Sequence, residues 1–500
     1  MIERVRRIVG GKGDEARRRK TAAALLILAV FALSGCNALS TAGGDSPSAV
    51  IAGSAPRDPQ QDRLGAEEHP RIVAAYGGIY RDEKLEQALV RIVGKVVAAS
   101  DDPGQSYRIT ILNAPAVNAF ALPGGYLYVT RGLLSLANDS SEVAAVLAHE
   151  MGHITANHAV ARQNRAKNAV IVSQVVTDVL NDDNAGRLAL QSSQRSLAGF
   201  SRQQELEADA IGVKTIGRAG YDPFAAARFL SAMGKFASYK TAQGAAADKR
   251  IDFLATHPST PERIDFAVRA ARQFGAPGVG SVDADRYLDG VDGMIFGDDP
   301  TQGFVRERSF VHPGLGVGFT VPEGFVIDNT SDAVLATGTD GTALRFDAVR
   351  LTPGSDLGTY LASGWVNGLD EKSIKRFAVN GMPAATATAK AKDWAFQIAV
   401  IQTEGGATYR FIFANEVSTP VFEKAAMETV QSFRKLTASE TAGLQPLRVR
   451  VVTVKAGDTD QSLARRMRGV ERPLELFRAL NEIEPGAPLT PGRSVKVVQE

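Results

Sequence analysis

The feature that most restricts the fold of this chain is a His-Glu-x-x-His motif within an apolar helical pattern. The pattern runs from Ser141 to His153, and the polar stretch from Asn138 to Ser141 supplies candidate N-caps. Because positions i and i+4 lie one above the other on a helix, His149 and His153 can direct two imidazoles to one metal ion. Glu150 projects about 100° round the helix, where it can act as a base.

A catalytic zinc ion needs a third protein ligand and an open position for water. Metzincins require Gly and His three and six residues after His153, but Ala156 and Ala159 stand there. Gluzincins instead take a Glu from a later helix, and an acidic residue one turn on orients a ligand His. The spacing predicts Glu205 as the third ligand and Asp209 as the partner of a histidine. This spacing is common on exposed helices, so the assignment also depends on the family resemblance described below.

Histidine is scarce in this chain, with six residues in 500. A chance match to the motif is therefore on the order of one percent or less. The residues suggest peptide hydrolysis with one zinc ion (Zn²⁺) per chain, which polarises the scissile carbonyl and lowers the pKa of a bound water to about 7. Glu150 is expected to take the water proton and to pass it to the leaving amine.

The single cysteine, Cys36, follows a segment with the features of a secretory signal. A basic region ends at Lys20, and an uncharged apolar run extends from Thr21 to Leu33. This run is shorter than the roughly 20 residues of a membrane-spanning helix. Export is therefore expected, and one cysteine excludes an intramolecular disulfide.

The residues from Leu33 to Cys36 resemble the bacterial lipoprotein processing box. This resemblance implies a lipoprotein signal peptide over residues 1–36 and a lipid on Cys36 that anchors the protein to a membrane. Asn37 replaces the Asp that retains such proteins at the inner membrane, which implies a periplasmic position at the inner face of the outer membrane. The alternative is an ordinary signal peptide with an incidental cysteine.

The length of 500 residues predicts several domains, and the patterns predict an α+β multidomain chain. Residues 37–70 have the composition of a flexible tether, residues 71–275 are mainly helical, and residues 276–303 form a Gly/Asp-rich linker. Strand-like runs and two helical patterns, over residues 357–367 and 421–433, favour an α+β domain over residues 304–438. Residues 446–500 form a small third domain. With 57 Lys and Arg against 55 Asp and Glu, the charge argues against a nucleic-acid-binding surface.

The mainly helical domain resembles the zinc metallopeptidase family that includes HtpX and the CAAX prenyl proteases, specifically its soluble periplasmic branch. The stretches that carry the resemblance are Asn118–Leu133, the helix of His149 with His158 after it, Ser201–Gly212 leading into Gly220–Pro223, and Thr256–Ile264. The resemblance implies a gluzincin fold with His149, His153 and Glu205 as zinc ligands. It also implies an endopeptidase for unfolded or misfolded envelope proteins, in protein quality control.

Two further histidines belong to the resembling stretches. The resemblance places His257 near the metal, either stabilising the tetrahedral oxyanion or filling the fourth zinc position in a latent state. An exposed His-Pro turn is a third alternative for His257. His158 follows His153 by five residues, about 500° round a helix, so we expect it to point away from the metal and to be structural.

A Pro-Gly-Gly turn between apolar runs predicts a β-hairpin over residues 120–129. The resemblance places such a strand at the edge of the cleft, where an extended substrate could add a strand through its backbone. The residues expected to bind substrate are Phe120, Ala121, Leu122, Gly124 and Gly125. Residues 166–200 between the ligand helices are expected to form either a movable lid or a plain connection.

The C-terminal domain resembles a LysM module over Val449–Val498, with a βααβ order, which implies binding of glycan and so of peptidoglycan. Asp460 and Gln461 replace the apolar pair usual after Gly-Asp-Thr, so a purely structural role is an equal alternative. The domain over residues 304–438 resembles Mog/PsbP-like domains. Two alternatives to the quality-control peptidase stay open: a peptidase of peptidoglycan cross-links, and a non-enzymatic assembly factor for outer-membrane proteins.

Overall fold

A computed structural model describes residues 49–51, 59–158, 161, 201–242 and 257–500. The predicted signal peptide with Cys36, most of the tether and the lid over residues 166–200 lie outside these described residues. The chain divides into two compact units. One contains the described residues up to Gly297 together with Pro446–Glu500, and the other contains Asp298–Gln445.

The first unit begins with helices and one sheet. Its helices before Gly297 are α1 (Pro59–Ala75), α2 (Glu83–Ala99), α3 (Arg131–Leu136), α4 (Ser140–Thr155), α5 (Arg202–Arg218), α6 (Ala225–Ala242), α7 (Pro261–Ala271) and α8 (Ala284–Val291). Its strands are β1 (Ala49–Ile51), β2 (Tyr107–Leu112), β3 (Ala119–Leu122) and β4 (Tyr126–Thr130). The sheet order is β1-β2-β4-β3, in which β2 and β4 are parallel and the other pairs antiparallel.

Helix α4 lies at the centre of this unit. Every residue from Ser140 to His153 is buried, as expected of a helix that is apolar on all sides. Asp139 caps its start by accepting a hydrogen bond from the Glu142 backbone N–H. Helix α2 packs nearby through its apolar stripe, which repeats at helical spacing from Leu85 to Val97. The helix that carries the motif is thus held by the core on every side.

Two segments differ from their expected roles because they pack into this unit. The predicted tether ended at residue 70, but residues 59–75 form α1. The predicted linker over residues 276–303 includes α8, where Tyr287 and Val291 are fully buried. The Tyr287 hydroxyl donates to the Leu134 carbonyl over 2.6 Å. Glycine and aspartate in this stretch supply turns around a short buried helix.

The second unit is a mixed α/β fold. Its strands are β5 (Phe304–Arg306), β6 (Ser309–His312), β7 (Val317–Thr320), β8 (Phe325–Asn329), β9 (Val334–Gly338), β10 (Ala343–Arg350), β11 (Leu369–Val379), β12 (Met382–Ala391), β13 (Trp394–Gln402), β14 (Ala407–Asn415) and β15 (Arg434–Lys435). Its helices are α9 (Leu357–Leu361), α10 (Pro420–Ser432) and α11 (Ala438–Gly443). The sheet orders are β11-β12-β13-β14-β10-β9-β8 and β15-β7-β6-β5. The helix expected over residues 357–367 stops at Leu361, because Gly364 and Gly368 adopt left-handed backbone conformations.

The C-terminal segment has the predicted βααβ order. It comprises β16 (Arg448–Thr453), α12 (Asp460–Ala464), α13 (Pro473–Asn481) and β17 (Ser494–Gln499), with the two strands antiparallel. Asp460, which replaces an apolar residue, is buried and pairs with Arg478 of α13 over 2.7 Å. An ion pair therefore joins the two helices of this segment.

This segment packs against the rest of the first unit, to which it belongs. The Nζ atom of buried Lys496 lies 2.7–2.8 Å from the carbonyl oxygens of Ser135, Leu136 and Ala137 at the end of α3. Val449 belongs to the core cluster around α4. A lysine thus satisfies carbonyls that the end of a helix leaves without partners.

Candidate metal centre

Two glycines allow α4 and α5 to cross closely. A Cβ atom on Gly152 would lie 3.2 Å from the Ala208 carbonyl oxygen, and one on Gly212 would lie 3.2 Å from the His149 backbone nitrogen. Larger residues at these positions would separate the helices. A capping box between Ser201 and Gln204 starts helix α5 at Arg202, which places the predicted ligand Glu205 in the first turn.

The crossing brings four donor groups together. The Nε2 atoms of His149 and His153 lie 3.1 Å apart, and Glu205 oxygens lie 3.6 and 3.5 Å from them. His257 completes the group, with its Nδ1 atom 3.3 Å from His149 Nε2 and 3.0 Å from Glu205 Oε1. All four side chains are buried. Residues 108 positions apart in the chain therefore meet at one point.

These separations fit a tetrahedral zinc ion. Zinc bonds of about 2.0–2.1 Å hold ligand atoms roughly 3.3–3.4 Å apart at tetrahedral angles. The five distances range from 3.0 to 3.6 Å around that value. Three imidazole nitrogens and one carboxylate also form a donor set that suits zinc. His257 stands where an open position for water is required, so the arrangement has the geometry of a closed centre.

Asp209 and Arg263 support the ligands from behind. Asp209 Oδ1 lies 2.9 Å from His149 Nδ1, as the spacing of Glu205 and Asp209 predicted. Arg263 of α7 donates from Nε and NH2 to the Asp209 carboxylate over 2.8 Å, and its NH1 lies 2.8 Å from Glu205 Oε2. One guanidinium therefore links the carboxylate that orients a ligand to the carboxylate that is a ligand.

The electrostatics of the buried groups follow from these contacts. Burial lowers the pKa of His149 despite the opposing effect of Asp209, which favours the neutral imidazole that a metal needs. Burial would raise the pKa of Asp209, but hydrogen bonds with Arg263 and His149 lower it to about 2. Burial, followed by the charge of Glu205, raises the pKa of Glu150. Glu150 Oε1 forms no hydrogen bond within the described residues, and it lies 3.7 Å from His257 Nε2.

The part of the chain that contains this donor set matches a known peptidase family. Residues 83–271 match Peptidase family M48. The matched segment spans α2 to α7 and includes all four donor residues, Glu150, Asp209 and Arg263. This segment of the first unit is therefore similar to M48 metallopeptidases, a family that depends on a metal ion.

The relatives that match the chain include a mitochondrial metalloendopeptidase and bacterial proteases. The mitochondrial metalloendopeptidase OMA1 of Arabidopsis thaliana is 34% identical over 180 residues, which cover 35% of this chain and 33% of that protein. A putative beta-barrel assembly-enhancing protease of Vibrio cholerae is 27% identical over 224 residues, covering 43% and 45%. The corresponding Yersinia pestis protease is 28% identical over 213 residues, covering 41% and 42%. The chain thus spans less than half the length of these relatives.

A comparison with solved structures and a search for membrane-spanning helices add nothing on function. A cyanobacterial PsbP structure from Synechocystis has 13% identity and a TM-score of 0.21, and it covers 27% of this chain and 94% of that one. This likeness carries no argument, so the PsbP-like interpretation of residues 304–438 stays a prediction. Of the helices in the described part of the chain, none has the length and apolar character needed to cross a membrane.

His158 occupies a position that the helical projection did not anticipate. Its Nδ1 atom lies 2.9 Å from His153 Nδ1, and its Nε2 atom lies 3.4 Å from Glu207 Oε2. His158 therefore lies outside the donor group, and it contacts His153 through the ring nitrogen that faces away from the other donors. Helix α4 ends at Thr155, and Asn157 has a left-handed backbone with φ of 55°, so the chain turns back under His153. Asn157, shortly after the last helical residue, was the sequence signal that could have predicted this turn.

The predicted substrate edge is a hairpin at one end of the first unit's sheet. Strand β3 is the edge strand and pairs with β4 through a turn in which Gly124 and Gly125 both have positive φ. The Phe120 ring stacks on Tyr128 at 4.8 Å between ring centroids, on the opposite face of the strand from Ala121, which packs against the core. Phe120 thus supports the strand, and its side chain is not a free contact for substrate.

Proposed function

We propose that this chain is a zinc-dependent endopeptidase that cleaves unfolded or misfolded polypeptides of the cell envelope. The observation that carries the proposal is the convergence of His149, His153, Glu205 and His257 at tetrahedral spacing, with Glu150 buried beside them. The M48 match and the relatives named as proteases support a hydrolase. The donor set of three imidazoles and one carboxylate supports zinc as the metal.

The residues suit a hydrolysis driven by an activated water. When bound, zinc would supply Lewis acidity toward the scissile carbonyl and toward water. Glu150 accepts the proton of the water and returns it to the leaving amine. Burial and then the charge of Glu205 raise its pKa above that of a free carboxyl, which favours its accepting a proton from the water. Asp209 and Arg263 hold His149 in orientation throughout.

His257 makes the described arrangement a latent form under this proposal. Its Nδ1 atom stands among the ligand atoms, where water must enter for catalysis. Activation then requires His257 to withdraw. Its Nε2 atom faces Glu150, so a small displacement would leave an imidazole beside the reacting carbonyl, where it could stabilise the oxyanion. The two roles expected for His257 thus become successive states of one residue.

The edge strand gives the substrate a backbone to pair with. Just before β3, the Asn118 carbonyl accepts a hydrogen bond from the Thr130 N–H of β4, and the Asn118 N–H donates to the Thr130 hydroxyl. By alternation along the ladder, Phe120 and Leu122 take the hydrogen-bonded positions against β4. The backbone groups of Ala119 and Ala121 consequently face outward. A strand added here is recognised mainly through its backbone, which favours unfolded polypeptide over a specific sequence.

The cellular setting is part of the proposal. A lipid on Cys36 would hold the protein at the periplasmic face of the outer membrane, near newly exported polypeptides. Relatives named beta-barrel assembly-enhancing proteases support an envelope substrate. The same names favour a second candidate, an assembly factor for outer-membrane proteins in which cleavage is secondary. Glycan binding by residues 446–500 stays a proposal beside a structural role, which the docking of Lys496 favours.

The test uses purified full-length chain, its metal content and cleavage of unfolded casein. We expect one zinc per chain and cleavage that Glu150→Gln abolishes, whereas Glu262→Gln, which changes an exposed carboxylate on α7, leaves cleavage unchanged. Peptide release from purified sacculi but not from casein would instead indicate a peptidoglycan peptidase. Full complementation of a deletion strain by Glu150→Gln would indicate the assembly factor.

A further inference from the structure

The histidine that follows the motif helix contacts a ligand on the side away from the metal. His158 is 3% exposed, and its Nδ1 atom lies 2.9 Å from Nδ1 of His153. The rings meet nearly edge to face, with centroids 4.9 Å apart at 68°. Since Nε2 of His153 faces the other ligands, the two nitrogens of this ring serve different partners.

The positions of the protons follow from this arrangement. A metal-binding Nε2 atom carries no proton, so the neutral His153 ring must hold its proton on Nδ1. That N–H can only donate to His158 if Nδ1 of His158 is unprotonated. His158 then carries its proton on Nε2, which faces Glu207 Oε2 at 3.4 Å. The series of contacts from the metal through His153 and His158 to Glu207 therefore assigns one tautomer to each histidine.

We propose that His158 is a positioning residue that fixes the tautomer and ring orientation of His153, and that Glu207 fixes His158 in turn. The inference rests on the metal centre proposed above. The other ligand histidine is oriented by a carboxylate, since Asp209 contacts His149 directly. At His153 a neutral imidazole separates the ligand from Glu207, whose side chain is 55% exposed. The support for His153 thus adds no buried charge beside the metal.

The experiment measures Zn²⁺ affinity of the full chain by competition with a chromophoric chelator, together with the visible spectrum of the Co²⁺-substituted protein. His158→Phe keeps a ring but removes the acceptor, and we expect its Zn²⁺ affinity to fall about 10- to 100-fold with an altered Co²⁺ spectrum. His158→Gln restores an acceptor oxygen and should recover most of the affinity. Recovery by Gln separates hydrogen bonding from simple packing.

Glu207→Ala tests the outermost contact of this series, at an exposed site where folding is not at risk. We expect a loss of about threefold to tenfold in Zn²⁺ affinity, at the lower end of such effects, and no loss in Glu86→Ala on α2. Wild-type affinity and an unchanged Co²⁺ spectrum in both His158→Phe and Glu207→Ala would overturn this inference alone. Absence of Zn²⁺ binding by the wild type would overturn the proposed function and this inference with it.

Discussion

Asp209 holds the outer nitrogen of His149 at 2.9 Å, while its own carboxylate receives two hydrogen bonds from Arg263. The ligand ring is therefore oriented by a carboxylate that cannot turn away without breaking an ion pair. Because the imidazole must present one fixed nitrogen to the metal, this contact is expected to affect metal affinity before it affects the fold.

Asp209→Asn should weaken Zn²⁺ binding about 10- to 100-fold, because the amide is a poorer acceptor from His149 and a poorer partner for Arg263. Chelator competition measures the change, and circular dichroism checks that the helices are retained. Asp101→Asn, which alters an exposed ion pair with Lys214, is the control. Equal affinities in wild type and Asp209→Asn would show that Asp209 does not support the ligand.

Gly152→Leu should both destabilise the first unit and reduce metal affinity. The new side chain meets backbone of Ala208 in α5, and such overpacking costs about 1–3 kcal/mol. Glu205 on α5 would then move away from the histidine pair. Gly234→Ala on α6, where the nearest atom lies 3.9 Å from the added Cβ, should instead gain about 0.5–1 kcal/mol without changing metal affinity. Chemical denaturation and zinc titration measure both effects.

Lys496→Met should lower the unfolding free energy by about 2 kcal/mol at pH 7, because three buried carbonyls at the end of α3 lose their donor. Urea denaturation provides the measurement. An unchanged free energy would mean that the C-terminal segment is held by its apolar contacts alone, among them Val449.

The contribution of Lys496 should also depend on pH. Burial lowers its pKa to about 7, although Glu142 acts in the opposite direction. Between pH 7 and about 10 the unfolded chain keeps this proton while the folded chain releases it, so unfolding takes up a proton. The stability of wild type relative to Lys496→Met should therefore rise with pH across this window. A flat difference between pH 7 and pH 10 would contradict the lowered pKa.

Removal of metal should destabilise the first unit selectively. A ligand that binds only the folded state adds about 2.7 kcal/mol when present at 100 times its dissociation constant. Calorimetry with chelator and with added Zn²⁺ should therefore shift the transition that contains α4, because His149, Glu205 and their neighbours are buried without an ion to hold them. The transition of residues 298–445 is the internal control and should not move.

Much of the candidate metal centre could be predicted from local pattern. The i, i+4 spacing placed His149 and His153 on one helix face, and the same spacing placed Asp209 on the face of Glu205, where it contacts His149 of α4. The hairpin at Pro123 followed from turn residues between apolar runs. These features depend on periodicity along one element, which the amino-acid order contains directly.

The sequence by itself determined which residues could bind a metal and on which face of each helix they lie. The tertiary structure decided that they meet, because the approach of α4 to α5 depends on backbone contacts at Gly152 and Gly212 that no local pattern encodes. It also placed His158 against His153, since one left-handed residue, Asn157, changes a direction that a continued helix would have set. Docking of Lys496 onto α3 likewise depends on distant packing, because carbonyls at a helix end accept a donor from any segment that the fold brings there.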